Sequence, residues 1–549
     1  MKTNFKPVLM CAAAALLTAL SGCVGGGAKT SQSADVYDPD AQQIFVGEEI
    51  AVAPTTYGKV RGFILRGVYN FRGIPYGAPT GGENRFMPPR PPESWEGVRP
   101  AVAYGASAPQ TYYDRSPESY GMFVDHWNYD LMSEDCLRLN VWTPALDATK
   151  RPVLVWLHGG GYARGNGIEQ DSYDGENIAR FGDIVYVSIN HRLNSFGFSD
   201  LSAAGDKYRD SGNVGMLDII AALEWVNKNI AAFGGDPANV TIMGQSGGGS
   251  KVSTIAAMPA AKGLVHKGVA LSGNSIAATD KAYARKLGET IIAEAGLTPA
   301  RVDELQQLPW EEYMAIAERA AARMRQENPG AGRGGFSPVA DGINIPEGTF
   351  YTSGSAAVPD IPMIFCSTFN EQSPSRNDAE LEKITMEGVV ERLSATYGDR
   401  AGEIVAAYSR QFPDLRPIEV LSFISSNRRN VVRSADTKLA QSSPVWMAWF
   451  GFQSPLFDGR QRAFHCADIS YWFHNTDLMI THTGGGKAPR DLADKMSSAL
   501  VAFMRTGDPN TPELPEWPRY TTENGETMVL NTVSEVKNDP DRAARLTLQ

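Results

Sequence analysis

The stretch 241–253, TIMGQSGGGSKVS, places Ser246 among four glycines and ahead of a lysine. A phosphate-binding loop is one use of such a stretch, and it needs G-x-x-x-x-G-K-[ST], with the lysine directly after the second glycine. Here Ser250 occupies the lysine position, Lys251 comes one residue late, and Val252 replaces the magnesium-binding hydroxyl. The spacing therefore disfavours a phosphate site.

The same stretch fits G-x-S-x-G, a turn that presents a serine nucleophile between a strand and a helix. The β-branched run 239–243 predicts a buried strand before the turn, and 249–258 can form a helix after it. Glycines suit this turn because the backbone at the serine is strained and neighbouring segments come close. A glycine-rich surface turn is the alternative, which only the rest of the chain can exclude.

A serine nucleophile needs backbone donors for the oxyanion, a histidine base and an acid that orients the base. The segment 157–162, LHGGGY, follows the apolar run PVLVW and can supply donors, as can the N–H of Gly247. Of the seven histidines, three precede Ser246, and His266 follows it too soon to leave room for an acid-bearing strand and loop. The remaining candidates for the base are His465, His474 and His482.

The acid of such a site should lie just past a strand between the serine and the histidine. The segment 361–372, IPMIFCSTFNEQ, supplies Glu371 a few residues beyond an apolar run. Asn370 cannot serve, because an amide lacks the charge that stabilises an imidazolium. The alternative interpretation of Glu371 is a solvated loop carboxylate.

The elements that must position these residues follow an α/β pattern. Four near-continuous apolar runs are typical of strands buried on both faces of a parallel sheet, namely 152–157, 183–190, 239–243 and 361–367. Apolar residues at helical spacing occur between them, as in 215–233, and 379–438 predicts a helical cap or flanking subdomain. The predicted fold class is α/β, with a large, mostly parallel central sheet flanked by helices.

Bulk composition excludes several classes of protein. The chain has 549 residues, of which 42% are hydrophobic and 21% charged, as expected for a globular protein with an ample core. Its net charge is −11, and nothing basic is concentrated enough to suggest a nucleic-acid partner. Nothing in the sequence indicates an oligomeric state.

The first residues indicate export. Two lysines precede an apolar run, 8–20, that is too short to span a bilayer and predicts a signal peptide at 1–22. The tetrapeptide LSGC resembles the lipobox of bacterial lipoproteins, which implies cleavage before Cys23 and its lipidation; a plain signal peptide is the alternative. Val24 follows Cys23, which in that family indicates the outer membrane. The protein could face the periplasm or the cell surface. We predict a tether at 23–50, a catalytic domain at 51–549, and membrane contact through the lipid anchor alone.

The whole chain resembles the type-B carboxylesterases, a family that includes cholinesterases and bacterial para-nitrobenzyl-type esterases. Segment 233–248 matches the family's serine signature throughout, and 134–144 matches its second signature except at Arg138. Three further blocks resemble the family in the right order, namely 71–86, 463–473 and 503–520. The resemblance extends over residues 56–530, and short chance matches would not occur in the right order over such a range.

This resemblance implies the α/β-hydrolase fold and a serine carboxylesterase that acts on a small-molecule ester without a metal or cofactor. It selects His465 as the base, for which a core histidine is the alternative interpretation, with Ser246 as nucleophile and Glu371 as orienting acid. The implied oxyanion hole is formed by the N–H groups of Gly160, Gly161 and Gly247. Arg85 and Glu134 occupy the positions of a structural ion pair.

Departures from the family bear on the substrate. Gln245 stands where much of the family has a glutamate that favours cationic substrates. Trp127 lies near the place of the tryptophan that binds quaternary ammonium in cholinesterases, but one residue closer to the motif SEDC. We therefore do not expect a choline ester, and take Gln245 and Trp127 as pocket residues. The pocket should be lined by the loops 111–132, 327–337 and 373–378.

Alternatives remain at the level of substrate and class. Aromatic residues in 111–132 indicate an apolar or aryl ester, or they simply pack a long loop. The same site could act on amides or carbamates, or as an acyl transferase. A non-catalytic binding or adhesion protein of this fold is a further alternative, although such family members have typically lost a triad residue and here every position is filled.

The chain has five cysteines. Cys11 would leave with the signal peptide and Cys23 would be lipidated, which leaves an odd number in the domain. Because Cys366 and Cys466 both lie near the predicted acid and histidine, a disulfide between them is a hypothesis.

Overall fold

A large sheet runs through the protein and sets the positions of the predicted site residues. The computed structural model describes residues 43–111, 131–273, 275–327, 335–352 and 357–549, and Gln43–Gln549 form one unit. The strands of this part are β1 Ile44–Phe45, β2 Val52–Thr55, β3 Gly58–Arg61, β4 Phe63–Leu65, β5 Val68–Pro75, β6 Val98–Pro100, β7 Arg138–Thr143, β8 Arg151–Leu157, β9 Val185–Ile189, β10 Gly235–Gln245, β11 Lys267–Leu271, β12 Met363–Thr368, β13 Val445–Phe450, β14 Glu526–Leu530 and β15 Glu535–Asn538.

Twelve of these strands form one sheet, in the order β1-β4-β5-β7-β9-β8-β10-β11-β12-β13-β14-β15. Every pairing from β9 through to β14 is parallel, whereas β1, β4, β5 and β7 on one side and β15 on the other pair antiparallel. The strands β2, β3 and β6 form a separate small sheet. The predicted α/β-hydrolase architecture, with a mostly parallel central sheet, is confirmed.

Helices cover the sheet and form insertions beside it. The described α-helices are α1 Glu176–Gly182, α2 Asn194–Phe198, α3 Val214–Asn229, α4 Gly247–Ile255, α5 Lys281–Glu294, α6 Trp310–Glu327, α7 Met386–Tyr397, α8 Ala401–Gln411, α9 Pro417–Ile424, α10 Arg428–Lys438, α11 Ile469–Trp472, α12 Ile480–Thr483, α13 Lys487–Thr506 and α14 Arg542–Leu546. The run α7 to α10 confirms the helical insertion predicted at 379–438. No helix in the described ranges is both long and apolar enough to cross a membrane.

The four apolar runs form strands of the parallel core, as predicted. They lie in β8, β9, β10 and β12, of which β8, β9 and β12 are buried throughout and β10 is buried from residue 240 to residue 245. Such strands need apolar side chains on both faces, since helices cover each side of the sheet. The carboxyl ends of parallel strands meet at one edge, so segments that follow β8, β10, β11, β12 and β13 converge there.

The predicted ion pair between Arg85 and Glu134 is confirmed. Nε and Nη2 of Arg85 each lie 2.7 Å from a carboxylate oxygen of Glu134. Nη1 also donates to the carbonyls of Leu305 and Leu308, at 2.8 and 2.9 Å. The Arg85 guanidinium is buried, and its donors are occupied by the Glu134 carboxylate and by two carbonyls. These contacts join residue 85 to distant residues of the chain.

The start of the described chain lies within the range predicted as a tether. Ile44 and Phe45 form β1, whose backbone pairs with Leu65 and Ile64 of β4. The predicted signal peptide and Cys23 lie outside the described residues, as does Trp127.

Candidate functional site

Ser246 lies at a sharp turn between β10 and α4. Its backbone angles are φ 58° and ψ −120°, a conformation that a residue with a Cβ adopts only under strain. The turn is held by the Ser246 amide, which donates to the carbonyl of Leu271 at 2.8 Å. The predicted strand–turn–helix arrangement is therefore confirmed.

The glycines around Ser246 permit close backbone packing. A Cβ on Gly248 would lie 1.9 Å from the carbonyl oxygen of Leu157, and a Cβ on Gly247 would lie 2.2 Å from that of Gly161. Gly244 would meet the backbone of Gly248 at 2.4 Å. No side chain fits at these distances, so the glycines bring the nucleophile turn against the loop that follows β8.

That loop, His158–Gly161, presents backbone amides beside Ser246. Gly160 and Gly161 have φ values of 76° and 66°, which glycine adopts readily. The carbonyl of Gly160 accepts from the amides of Ala163 and Arg164, both at 3.2 Å. Among the described residues, the amides of Gly160 and Gly161 donate to no protein acceptor. They are thus available to a ligand in the cleft.

A buried histidine orients this loop from within. Nδ1 of His158 lies 3.0 Å from the carbonyl oxygen of Gly159. Burial, with the charge of Lys251, lowers the pKa of His158 well below its usual range, so the ring is neutral and its proton lies on Nδ1 to make this bond. The carbonyl of Gly159 belongs to the same planar peptide as the amide of Gly160, so holding one orients the other.

His465 and Glu371 form a hydrogen-bonded pair at the same edge of the sheet. Glu371 follows β12 and His465 lies between β13 and α11. Nδ1 of His465 donates to Oε2 of Glu371. The Glu371 side chain is 2% exposed and that of His465 is 37% exposed, so the acid lies behind a ring that reaches the cleft. The solvated-loop interpretation of Glu371 is wrong, because its carboxylate is buried.

Three donors hold the Glu371 carboxylate as an anion. Besides His465, the hydroxyl of Ser272 donates to Oε1 at 2.6 Å, and the amide of Thr368 donates to the same oxygen at 2.9 Å. Burial raises the pKa of Glu371, but the charge of His465 and the three hydrogen bonds outweigh it, so the pKa lies below its usual value. Sequence reasoning missed Ser272, which carries no motif and reaches the site because it follows β11.

The other two candidate histidines lie elsewhere. Nε2 of His474 lies 2.7 Å from Oδ1 of Asp494, and its ring stacks on Phe181 at 4.3 Å between centroids. His482 is buried with its ring against Phe464. Neither lines the cleft that contains Ser246 and His465.

Gln245 lies beneath the imidazole of His465. Its Nε2 is 3.3 Å from Nε2 and 3.4 Å from Nδ1 of that ring. The thiol of Cys466 donates to Oε1 of Gln245 at 3.2 Å. The predicted pocket residue Gln245 is fully buried, so it touches the histidine rather than forming the cleft wall.

The hypothesis of a disulfide between Cys366 and Cys466 is wrong. Both side chains are thiols. Cys366 is buried within β12 and its thiol lies 3.6 Å from the carbonyl oxygen of Ser367. Cys466, with φ 77°, instead directs its sulfur at Gln245. Nearness of each cysteine to a site residue in the sequence did not fix the direction of either side chain.

Most of the predicted site residues line one cleft of about 1570 Å³, whereas Gly160 and Gln245 do not line it. Its lining includes Ser246, Glu371, His465, Gly161 and Gly247. Residue 111 and the segment 335–337 contribute, as expected for two of the three predicted loops, whereas 112–130 and 328–334 lie outside the described residues. The start of α10 and the segment 275–280 line it as well, and neither segment carries a motif that predicts this.

The third predicted loop, 373–378, does not line the cleft. Its serines turn to buried polar groups instead. The hydroxyl of Ser373 donates to the carbonyl of Gln461 at 2.8 Å, and Nη1 of Arg462 donates to the hydroxyl of Ser375 at 2.8 Å. Arg462 also binds Glu382 through Nη2 at 2.7 and 2.9 Å, so Ser375 is hydrogen-bonded to a residue of an ion pair.

Within the described residues, no three or more histidine, cysteine, aspartate or glutamate side chains form a cluster that could hold a metal ion. The site combines the Ser246 hydroxyl on a strained turn with the His465 imidazole, which a buried carboxylate holds. Backbone amides without a protein acceptor lie in the loop beside Ser246. These groups can support nucleophilic attack with a general base and stabilisation of a developing negative charge.

Comparison with known proteins gives matches along almost the whole domain. A sequence model described as "Carboxylesterase family" matches residues 49–547. The para-nitrobenzyl esterase of Bacillus subtilis (strain 168) is 32% identical over 507 residues, which cover 90% of this chain and 97% of that protein. The phenmedipham hydrolase of Pseudarthrobacter oxydans is 33% identical over 519 residues, which cover 90% and 99%.

A solved structure shares the fold. An esterase from Clostridium hathewayi, reported to hydrolyse aliphatic aromatic polyesters, superposes with a TM-score of 0.77 and is 32% identical. The match covers 92% of this chain and 99% of the other.

Proposed function

Since the chain belongs to the carboxylesterase family, and is therefore a carboxylic ester hydrolase acting on small-molecule esters, we propose that its nucleophile is Ser246. His465 is the general base and Glu371 the acid that orients it. The single observation that carries these roles is the hydrogen bond from Nδ1 of His465 to the buried carboxylate of Glu371, in the cleft that the strained Ser246 also lines.

The proposed reaction begins with proton transfer. The bond to Glu371 keeps a proton on Nδ1 of His465, so Nε2 carries the lone pair that accepts the proton of the Ser246 hydroxyl. Oγ of Ser246 attacks the ester carbonyl carbon as its proton passes to Nε2. The anionic Glu371 stabilises the imidazolium that forms.

The carbonyl oxygen of the substrate takes up the negative charge in this step. The amides of Gly160, Gly161 and Gly247 are the donors we assign to it. The tetrahedral intermediate then collapses, the carbon–oxygen bond to the alcohol breaks, and the proton on Nε2 of His465 passes to the departing alkoxide. Water attacks the acyl-serine with the same base, which releases the carboxylic acid and restores Ser246.

Gln245 affects the substrates that such a site accepts. A neutral amide beside the base adds no negative charge that would favour a cationic alcohol group. The side-chain nitrogen of Gln245 also lies 3.3 Å from Nε2 and 3.4 Å from Nδ1 of His465, and this contact restricts the ring's motion through a group that carries no charge. We therefore propose neutral esters as substrates.

Labelling with a fluorophosphonate tests the nucleophile. The reagent forms a covalent bond with an activated serine, and mass mapping of peptides from the full chain should place the adduct on Ser246. Ser250→Ala is a matched control, since Ser250 lines the same cleft one turn further along α4. The adduct should persist in that variant and vanish in Ser246→Ala. An adduct on another serine in the wild type would overturn the assignment.

Export and anchoring form a separate proposal. The signal at 1–22 and the cysteine that follows it support cleavage, lipidation of Cys23 and attachment to the outer membrane, with residues 23–42 as the linker to the domain that begins at Gln43. In a bacterial host, labelled palmitate should enter the wild type but not Cys23→Ser, and the variant should leave the membrane fraction. Equal labelling of both would contradict the anchor.

A further inference from the structure

A buried lysine lies directly behind the oxyanion loop, His158–Gly161. Lys251 belongs to α4, five residues after Ser246, and has 0% exposure. Its Nζ donates to the carbonyl of His158 at 2.9 Å and lies 5.8 Å from the ring centroid of Tyr162. Among the described residues it forms no ion pair within 4.0 Å.

Burial of this amine is costly. A cation removed from water needs an anionic partner or several acceptors to offset the lost hydration. Here burial lowers the pKa of Lys251 to about 7, and the more distant carboxylate of Glu169 only partly opposes that effect. An apolar side chain of equal length would fill the space at no such cost, and the amine adds a direct hydrogen bond to His158 that such a side chain could not make.

We propose that Lys251 is a positioning residue for the oxyanion loop, which it holds through the carbonyl of His158; this inference rests on the proposed function. Three successive carbonyls of the loop are held by protein donors. The carbonyl of His158 is bound by Lys251, that of Gly159 by the His158 ring, and that of Gly160 by two backbone amides.

The order of these contacts explains why the first one matters. Each held carbonyl fixes the peptide plane that carries the next residue's amide, because the peptide unit is planar. The residues between these planes are glycines, whose backbone angles are restricted little by sterics. Release of the carbonyl of His158 therefore frees the first plane, which carries the amide of Gly159. The next two planes, which carry the amides of Gly160 and Gly161, then keep only the contacts of the His158 ring and of the amides of Ala163 and Arg164, and they lose part of their fixed orientation.

The expected kinetic effect lies in the transition state. Oxyanion donors bind the tetrahedral intermediate more strongly than the substrate carbonyl, and loss of one donor typically lowers kcat about 10²–10³-fold. A donor that is only loosened keeps part of its stabilisation of the tetrahedral intermediate. Lys251→Met should therefore lower kcat about 10–100-fold, with KM changed less than about threefold. Binding of an aryl trifluoromethyl ketone, which adds to the serine as a tetrahedral oxyanion, should weaken by the same factor.

A second buried lysine provides a matched control. Lys438 at the end of α10 also has a side chain with 0% exposure, and its Nζ lies 5.6 Å from the Tyr351 ring. Its partners are Gln441 at 2.6 Å and Asp360 at 3.4 Å, and it does not line the cleft. Lys438→Met should lower the melting temperature but leave kcat and ketone affinity within about twofold of wild type.

The experiment compares the full-length wild type, Lys251→Met, Lys251→Gln and Lys438→Met with a para-nitrophenyl ester and the trifluoromethyl ketone. Lys251→Gln keeps a donor near the same place, so it should retain more kcat and ketone affinity than Lys251→Met, whether or not the latter folds well. Wild-type kcat in folded Lys251→Met would overturn the inference. Equal losses in the Lys251→Gln and Lys251→Met variants, or equal losses in both lysine-to-methionine variants, would also overturn it.

Failure of the proposed function would look different. If the wild type formed no ketone adduct on Ser246, the nucleophile assignment would fall, and all variants would behave alike. If the wild type formed the adduct and Lys251→Met bound the ketone equally well, only the role of Lys251 would fall.

Discussion

Nδ1 of His465 donates a hydrogen bond to Oε2 of Glu371, and the carboxylate of that bond is almost fully buried while the ring reaches the cleft. The pair joins two loops at the carboxyl edge of the sheet, which follow the neighbouring strands β12 and β13. The bond fixes which ring nitrogen carries the proton and which one can accept another.

Glu371→Gln should retain the shape of the site but remove the charge behind His465. The amide cannot stabilise the imidazolium and permits the wrong ring tautomer, so kcat should fall about 10²–10⁴-fold with KM little changed. Steady-state kinetics on a para-nitrophenyl ester measures both constants. Glu318→Gln alters another glutamate of the cleft and should leave kcat nearly unchanged. A Glu371→Gln enzyme within twofold of wild type would remove Glu371 from the mechanism.

Ester hydrolysis should rise with pH through the range in which histidine ordinarily loses its proton, near about 6.5–7. The pKa of Glu371 lies below its usual value, so this carboxylate stays ionised throughout that range and adds no second step. Initial rates between about pH 5 and 9 give the profile. A flat profile would count against a histidine base.

Asp468 should make stability depend on pH with a definite sign. Burial, with the charge of Glu371, raises its pKa from 3.8 to about 7. The folded protein therefore keeps this proton after the unfolded chain has lost it, and the free energy of unfolding falls as pH rises between these values. Asp468→Asn removes that loss, so its free energy of unfolding should exceed that of the wild type by on the order of 4 kcal/mol above about pH 7.

Thermal unfolding of Asp468→Asn and wild type at about pH 4 and pH 8 checks this sign. The two should differ little at the lower pH, and the variant should melt higher at the upper one. Asp360→Asn is a control of opposite sign, because hydrogen bonds from the amides of Ser442 and Ser443 help to lower the pKa of Asp360 despite burial. An Asp468→Asn advantage at the lower pH alone would contradict the prediction.

Gly248→Ala should damage the fold at the nucleophile turn. Its Cβ would lie 1.9 Å from the carbonyl oxygen of Leu157, so β8 and α4 would have to separate, at a cost of about 1–3 kcal/mol or more. Gly402→Ala is the matched control, since nothing lies within 4 Å of a Cβ there. Because that position is exposed and helical, Gly402→Ala should raise the free energy of unfolding by up to about 1 kcal/mol. Melting temperatures compare the two, and equal effects would contradict the packing account.

Thiol labelling tests the cysteines of the domain. After denaturation without reduction, Cys136, Cys366 and Cys466 should each take up one alkylating group, because all three are thiols. Intact mass with and without prior reduction should be the same. A gain of two labels on reduction would restore the disulfide hypothesis.

The nucleophile turn and the strands of the parallel core could be predicted because their signals are local. Ser246 carries a motif within a few residues, and buried strands such as β8 appear as continuous apolar runs. The choice among three histidines could not be derived from periodicity, because it depends on which loop ends beside Glu371. Only the resemblance selected His465.

Side-chain direction accounts for the failures. Cys366 lies within β12 and Cys466 lies in the segment after the neighbouring β13, yet their sulfurs point to different partners. The hydrogen bond from Lys251 to His158 joins residues 93 positions apart, and a lysine inside a helix pattern predicts an exposed face. Such contacts depend on how β8 packs against α4, which no single segment of sequence encodes.

Turnover of para-nitrophenyl acetate and butyrate by the full chain, beside Ser246→Ala, is the decisive test of Ser246 as the nucleophile. We expect a burst followed by steady turnover in the wild type, and loss of both in a variant that folds normally. Turnover that survives in Ser246→Ala would contradict it, since the nucleophile would then lie elsewhere.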